Sequence, residues 1–186
     1  MTATLDIIQD GMAGPAVRST VSLVRDGDHT IVIDPGMAPS QAAITGPLAE
    51  FGVHPASVTD VIVSHHHPDH TINVGLFGEA RVHDYWATYH HDVWTSRSAE
   101  GFEVSPSVTL WLTPGHTRED ITTIVRTSDE TIACTHLWWT QDGPASDPRG
   151  TDQAQIQAGR ERVLAVASLI VPGHGPAFRP TDTTPR

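Results

Sequence analysis

A recurring arrangement, in which a short apolar run is followed directly by metal-type ligands, constrains the fold of this chain most strongly. Residues 58–63 form a largely apolar, β-branched run suited to a strand buried on both faces, and His65-His66-His67-Pro68-Asp69-His70 follows it. Because ligands commonly bind at the carboxyl ends of strands in α/β sheets, residues distant in sequence can converge at such an edge. The pattern predicts a site assembled by the fold from these residues: His65, His67, Asp69, His70, His116, His136 and His174.

The order of the other elements is predicted from turn residues and apolar periodicity. Residues 19–25 and 30–33 are predicted to form a strand pair joined by a turn, and residues 40–51 a helix interrupted by Gly-Pro. Further strands are predicted at residues 108–112, 122–126, 131–134 and 168–171, with a helix over residues 152–167. We find no linker long enough to divide the chain. One domain is therefore predicted over residues 1–178, followed by a polar, frayed tail over residues 179–186.

The composition excludes several classes of partner and site. The 186 residues suffice for one domain with a proper core, and 22 acidic against 11 basic residues give a net charge of −11. Such a surface repels phosphate backbones, so nucleic acid is not favoured as a partner. The chain shows neither a run of membrane-spanning length nor a secretory signal, so we expect a cytoplasmic protein. Cys134 is the only cysteine, which excludes an intrachain disulfide and a cysteine-rich zinc module.

The histidine-rich segment has the spacing of a metal-binding loop. In an extended loop, alternation points His65 and His67 to the same side, where neutral imidazoles can bind one metal ion. Asp69 and His70 follow the turn at Pro68 and can serve a second metal. His66 is expected to point away from both.

These motifs resemble those of the metallo-β-lactamase superfamily. His65-x-His67-x-Asp69-His70 matches its H-x-H-x-D-H signature, and further matches follow in the expected order at residues 34–36 (D-P-G), 113–117 (T-P-G-H-T) and 171–175 (V-P-G-H-G). Leu76-Phe77-Gly78 and the late P-G-H-G-P-A-F are similar to the small metallo-β-lactamase-domain-containing protein one group. The resemblance implies an α/β fold, namely a four-layer αββα sandwich, and a metal-dependent hydrolase.

The resemblance also implies roles for the candidate residues. His65, His67 and His116 would bind one metal, and Asp69, His70 and His174 a second, while Asp69 could also orient the nucleophile and relay its proton. Asp34 would support a ligand or the loop. Zinc is the expected metal, as one or two ions, although iron or manganese also suits such ligands.

One position departs from the family pattern. His136 stands where the family places an aspartate that bridges the two metals. A neutral imidazole has one free lone pair and cannot bridge as a carboxylate does. We therefore expect His136 to be a terminal ligand of one metal, with a weaker second site or a single metal.

Several functions remain open at this stage. The first is hydrolysis of a small-molecule ester, lactone, thioester or phosphoester by a metal-bound hydroxide. The alternatives are a metal-dependent ribonuclease, which the acidic charge disfavours, an iron dioxygenase of the persulfide dioxygenase type, and a binding protein that has lost catalysis. Trp138 and Trp139 could line the substrate pocket, pack in the core or support a homodimer. Cys134 is expected to be a buried, unreactive side chain.

Overall fold

The computed structural model describes residues 2–186 as two β-sheets with three helices. The first sheet has the strand order β1-β4-β5-β6-β7-β8-β9, the second has the order β10-β11-β12-β13-β14, and β2 pairs with β3 as a separate hairpin. The strands are β1 (Thr4–Gln9), β2 (Met12–Ala13), β3 (Val17–Arg18), β4 (Val21–Asp26), β5 (His29–Ile33), β6 (Asp60–Ile62), β7 (Arg81–His83), β8 (Ala87–His90), β9 (Val93–Ser96), β10 (Glu103–Ser105), β11 (Val108–Leu112), β12 (Ile121–Arg126), β13 (Thr131–Thr135) and β14 (Leu169–Pro172). The helices are α1 (Ala42–Glu50), α2 (Pro68–Thr71) and α3 (Gln153–Leu164).

The two sheets pack face to face, with a helix on each outer face. Alternation along β5 sends Ile31 and Ile33 into the core between the sheets, while Val32 faces the layer that contains α1. Alternation along β13 likewise divides Ile132 and Ala133 between the inner core and the layer of α3. This arrangement confirms the predicted four-layer αββα sandwich in a single domain.

Hydrogen bonds between loops close the sandwich at the edge where the predicted site residues lie. Thr20 N donates to Gly173 O over 2.8 Å, and Ile121 N donates to Ser64 O over 2.9 Å. Ser19 N donates to Asp69 O over 3.1 Å. These contacts join loops from both sheets, so the ends of β6, β11, β13 and β14 are held at a common edge.

Several element boundaries differ from the sequence prediction, and several strands were not predicted. The strand expected at residues 108–112 is present with the same bounds, whereas the strand expected over residues 58–63 is β6, Asp60–Ile62. The strands β1 to β3 and β7 to β10 were not predicted. Many side chains of these strands are exposed or half-buried, so their apolar patterns are incomplete.

The C-terminal tail packs on the domain, in contrast to the frayed tail predicted over residues 179–186. Thr184 is buried, and Pro185 O accepts a hydrogen bond of 2.8 Å from Trp138 Nε1. Arg179 pairs with Glu130 over 2.7 Å. The tail was judged from its polar composition alone, which carries no signal for these contacts.

Among the described residues, no helix combines the length and apolar character that crossing a membrane requires. The cytoplasmic location and the homodimer stay predictions.

Candidate metal centre

All seven candidate ligands converge at one edge of the sandwich. His65 and His67 lie in the loop after β6, and Asp69 and His70 lie in α2. The other three follow β11, β13 and β14: His116, His136 and His174. Five of the seven are buried, whereas His67 is exposed and Asp69 half-buried at the mouth of the site. The fold thus brings together residues that are separated by more than half of the chain.

One group of ring nitrogens contains the three histidines predicted for the first metal. His67 Nδ1 lies 3.0 Å from His65 Nε2 and 3.1 Å from His116 Nε2. His65, His116 and His136 also offer ligand atoms within 4.8 Å of one another. A single cation could therefore be held by nitrogens from the loops after three strands.

A second group contains the residues predicted for the second metal. Asp69 Oδ2 lies 3.6 Å from both His70 Nε2 and His174 Nε2. His136 joins this group too, because its Nε2 lies 3.0 Å from His174 Nε2 and its ligand atoms are within 4.8 Å of those of His70 and His174. His136 is therefore the residue common to both groups.

The donor set fits a metal ion. His70 Nε2 and His136 Nδ1 are buried and have no hydrogen-bond partner among the described residues. A buried polar atom left without a partner costs about 1–3 kcal/mol, which a bound cation would offset. The ring of His136 has room because Gly173 lies beside it; a Cβ at Gly173 would be 2.5 Å from His136 Cδ2. The role of these residues as ligands stays a prediction.

The outer ring nitrogens are held by oxygen atoms. His70 Nδ1 lies 2.8 Å from Asp34 Oδ2, His116 Nδ1 lies 2.8 Å from Asp147 Oδ2, and His174 Nδ1 donates to Arg18 O over 3.0 Å. A hydrogen bond at Nδ1 leaves the lone pair on Nε2, directed at the metal position. The structure thus fixes the orientation that metal ligation requires.

Asp34 is placed by the local backbone of the Asp-Pro-Gly motif. Its φ of 51° lies in the left-handed region, which aspartate tolerates better than most residues. Its carboxylate also accepts hydrogen bonds of 2.7 Å from Ser64 N and Ser64 Oγ. A Cβ at Gly36 would lie 1.6 Å from Asp69 O, so the motif needs glycine there. Asp34 therefore supports His70, consistent with the role expected for it.

The surroundings of four candidate ligand histidines lower their pKa and so favour the neutral form. Burial first, and then the charges of neighbouring histidines, lower the pKa of His65 and His136 well below the usual value. Burial also lowers the pKa of His174, and partial desolvation at the mouth of the site lowers the pKa of His67. The neutral imidazole is the form that binds metals, so these rings are ready to ligate at neutral pH.

Two aspartates near the site were missed by the sequence analysis. Asp147 holds His116 but lies in an irregular loop without a motif, so no sequence signal marks it. Asp120 follows the T-P-G-H-T motif, which could have drawn attention to it. Its Oδ1 lies 3.9 Å from His65 Nδ1, and burial raises the pKa of Asp120 to about 6.

The neighbouring aromatic and polar side chains separate into distinct roles. Trp139 lies at the site, with its ring centroid 5.9 Å from that of His174, whereas Trp138 is fully buried against Phe178. His66 points away and lies 3.0 Å from Asp84. Cys134 is buried, and burial raises the pKa of its thiol to about 12, so it is the unreactive side chain expected.

The metal-ligand groups open into a cavity of about 510 Å³, which we call the site cavity. The hairpin of β2 and β3 forms one wall, and the loop after β13 forms another. The cavity is lined by Ala13, Gly14, Val17, His67, Pro68, Asp69, His116, His136, Trp139, Arg149 and His174. Its volume is sufficient for a small organic molecule.

Comparison with known sequences gives matches over nearly the whole chain. The family model described as Metallo-beta-lactamase superfamily matches residues 14–177. Metallo-beta-lactamase domain-containing protein 1 of Xenopus laevis is 33% identical over 174 residues, covering 86% of this chain and 72% of the relative. The Homo sapiens protein of the same name is 33% identical over 160 residues, covering 80% of this chain and 59% of its own length. The chain thus spans about three fifths of the human relative.

Solved structures match the fold. A Thermotoga maritima protein has a TM-score of 0.76 at 22% identity, with 97% of this chain and 100% of that chain covered. An N-acyl homoserine lactone hydrolase, solved with its product at the catalytic metal centre, has a TM-score of 0.69 at 18% identity, covering 93% and 92%. A protein solved in a di-iron-bound form has a TM-score of 0.67 at 18% identity, covering 92% and 94%. The matches confirm the resemblance predicted from the motifs.

Proposed function

Because the chain belongs to the metallo-β-lactamase superfamily, we propose that it is a metal-dependent hydrolase of a small-molecule ester, lactone, thioester or phosphoester. The observation that carries this proposal is the convergence of six histidines and one aspartate at one edge of the sandwich, with three outer ring nitrogens held by hydrogen bonds. A metal ion in such a site lowers the pKa of bound water toward neutrality and polarises the substrate oxygen.

Each candidate residue would have a role in binding a metal ion or in the hydrolytic reaction. His65, His67 and His116 hold the first metal, and Asp69, His70 and His174 hold the second when it is present. Asp69 is the only carboxylate of this set, and it lies half-buried on the cavity wall. A carboxylate at this place can orient the attacking water and accept its proton.

Zinc is our proposal for the metal, with iron as the alternative. Imidazole and carboxylate ligands suit both ions. A structural neighbour was solved in a di-iron-bound form, so the fold accommodates iron as well. The match to a lactone hydrolase supports a small ester or lactone as the substrate class. The net charge of −11 continues to disfavour the ribonuclease alternative.

The test is metal analysis combined with turnover on protein purified without a histidine tag. We expect bound zinc or iron, hydrolysis of at least one member of an ester and lactone panel, and loss of this activity after chelation with recovery on adding the metal back. His116→Ala should lower both metal content and turnover. His90→Ala removes an exposed histidine outside the site and should change neither. Full turnover by metal-free protein would overturn the proposal.

A further inference from the structure

We propose that Arg149 binds an anionic group of the substrate, a carboxylate or a phosphate, so that the metal centre acts on small anionic molecules. This inference rests on the proposed hydrolase function and adds the substrate class. Arg149 lines the site cavity together with His67, His116 and Trp139. Of the described residues that line this cavity, it is the only arginine or lysine.

The guanidinium of Arg149 is available for a ligand. Arg149 is exposed, and its backbone N donates a hydrogen bond to Asp147. Its side chain forms no hydrogen bond or ion pair with the described residues. By contrast, Arg97 and Arg160 use their guanidinium groups to hold backbone carbonyls. A planar guanidinium with free donors matches carboxylate and phosphate oxygens in a bidentate geometry.

The backbone of Arg149 is held by the same carboxylate that contacts a candidate metal ligand. Asp147 Oδ1 accepts a hydrogen bond of 2.8 Å from Arg149 N, while Asp147 Oδ2 lies 2.8 Å from His116 Nδ1. The same Oδ2 accepts a hydrogen bond of 3.1 Å from Trp139 Nε1. The arginine, one cavity wall and a candidate ligand therefore form a single connected unit around Asp147.

The charge balance of the site also favours an anion. Asp69 is the only carboxylate among the candidate ligands, because His136 stands where the family has an aspartate. A divalent cation held by neutral imidazoles and one carboxylate retains net positive charge. Arg149 adds to this charge from the cavity wall. An arginine beside a candidate cation site, in a protein of net charge −11, favours small anions over large polyanions.

The other residues that line the site cavity indicate the chemistry of the rest of the ligand. Ala13 and Val17 on the β2–β3 hairpin, with Trp139 on the opposite loop, give the cavity apolar walls. Val17 is 42% exposed, so this apolar surface is available. The geometry thus fits an apolar acyl group that ends in, or carries, a negative charge.

Three para-nitrophenyl esters of equal chain length test the inference on metal-loaded protein. The hexanoate is neutral, the adipate monoester carries a terminal carboxylate, and the corresponding phosphonate carries a phosphate-like group. Arg149→Met should lower kcat/KM for the anionic esters about 10- to 100-fold, mainly through KM, because a charge-assisted hydrogen bond is lost. The rate on the neutral ester should stay within about twofold. The anionic ester that shows the larger loss in kcat/KM identifies carboxylate or phosphate as the preferred group.

Two further variants serve as controls. Arg149→Lys keeps the charge and should recover part of the loss. Arg118→Met removes another exposed arginine without a side-chain partner, which lines a different cavity, and should change none of the rates. Equal losses on all three esters, or the same loss with Arg118→Met, would overturn the inference.

A binding measurement separates failure of this inference from failure of the hydrolase proposal. If the metal-loaded protein hydrolyses none of the esters or lactones, the hydrolase proposal fails. Calorimetric binding of adipic acid monoamide then still tests Arg149, because Arg149→Met should weaken it about tenfold or more. Unchanged binding would overturn the inference.

Discussion

A single side chain, His136, determines how many ligand atoms are available to each of the two groups of candidate ligands. It contributes ligand atoms to both groups, with His65 and His116 on one side and with His70 and His174 on the other. A neutral imidazole offers one lone pair, so it can complete only one of the two groups at a time. Two metal ions bound at these groups would therefore compete for His136, whereas a carboxylate could serve both.

Replacing His136 by aspartate should strengthen the second metal position. His136→Asp is expected to bring about one additional equivalent of metal into the purified protein, because two carboxylate oxygens can bridge two cations. Metal content per chain, measured by mass spectrometry after dialysis, checks this. His90→Asp adds the same carboxylate at an exposed position and should leave the content unchanged. Equal metal content in both variants and the parent would show that His136 does not limit the second position.

Asp147 should control metal affinity through His116. Its carboxylate lies 2.8 Å from His116 Nδ1, and supporting contacts of this kind typically contribute 10- to 100-fold in metal affinity, so we expect Asp147→Ala to lose about that much. Competition with a chromogenic chelator measures the change. Asp142→Ala removes an exposed carboxylate of the same loop and should have no effect. An unchanged affinity in Asp147→Ala would mean that His116 is oriented by other contacts.

At the scale of elements, α3 holds the loop that supports the site. Arg160 is 1% exposed and pairs with no carboxylate of the described residues 2–186; instead it donates to Leu137 O, Pro144 O and Ala145 O over 2.7–2.8 Å. These carbonyls lie in the loop after β13, which also carries Trp139 and Asp147. One buried guanidinium of the helix thus holds the loop at three carbonyl groups.

Removing the guanidinium of Arg160 should both make the loop after β13 more mobile and lower the free energy of unfolding. Arg160→Met keeps much of the side-chain volume but leaves three carbonyls without their donor, so we expect a loss of about 3 kcal/mol in the free energy of unfolding. Faster metal release should accompany it. Arg162→Met, on the same helix, removes a partly exposed ion pair with Glu100 and should cost less than about 1 kcal/mol. Similar losses in the two variants, measured by urea denaturation, would contradict this account of the loop.

The sequence predicted the residues that converge at the candidate site better than it predicted the elements that support them. The reason is that the converging residues lie in short sequence motifs, whereas the supporting residues do not. His65, His116 and His174 each follow a short apolar strand in a turn motif, so spacing alone marks them. Asp147 acts from an irregular loop, where no periodicity indicates a contact with His116. Trp138 and Trp139 are neighbours with opposite environments, and which one faces the cavity depends on the path of the chain after β13.

At the scale of the whole molecule, a second polar network lies at the opposite end of β6 from the metal centre. Asp60 begins this strand and is fully buried. Its carboxylate lies 2.8 Å from His83 Nε2 and accepts hydrogen bonds of 2.8 and 2.9 Å from Arg81, while His29 Nδ1 lies 3.0 Å away. The network ties β5, β6 and β7 together, and β6 leads directly into the histidine-rich loop.

The protonation of Asp60 should give the protein a distinctive acid stability profile. Burial alone would raise the pKa of this carboxyl, but hydrogen bonds from His83, Arg81, His29 and Thr59 hold it far below its usual value. A depressed folded-state pKa means that the contribution to stability is present above the unfolded-state pKa of about 3.9 and is lost as pH falls further. Asp60→Asn should therefore destabilise the fold by about 3 kcal/mol at neutral pH.

The difference in unfolding free energy between the parent and Asp60→Asn should persist from neutral pH down to about pH 4 and shrink below it. Below that pH the unfolded state of the parent binds a proton at Asp60, which stabilises the unfolded state, and the variant cannot bind this proton. Urea denaturation at a series of pH values measures this difference directly. Asp28→Asn, which neutralises an exposed aspartate beside the β4–β5 turn, should follow the parent throughout. If the difference stayed constant below about pH 4, the network would act through packing rather than through the charge of Asp60.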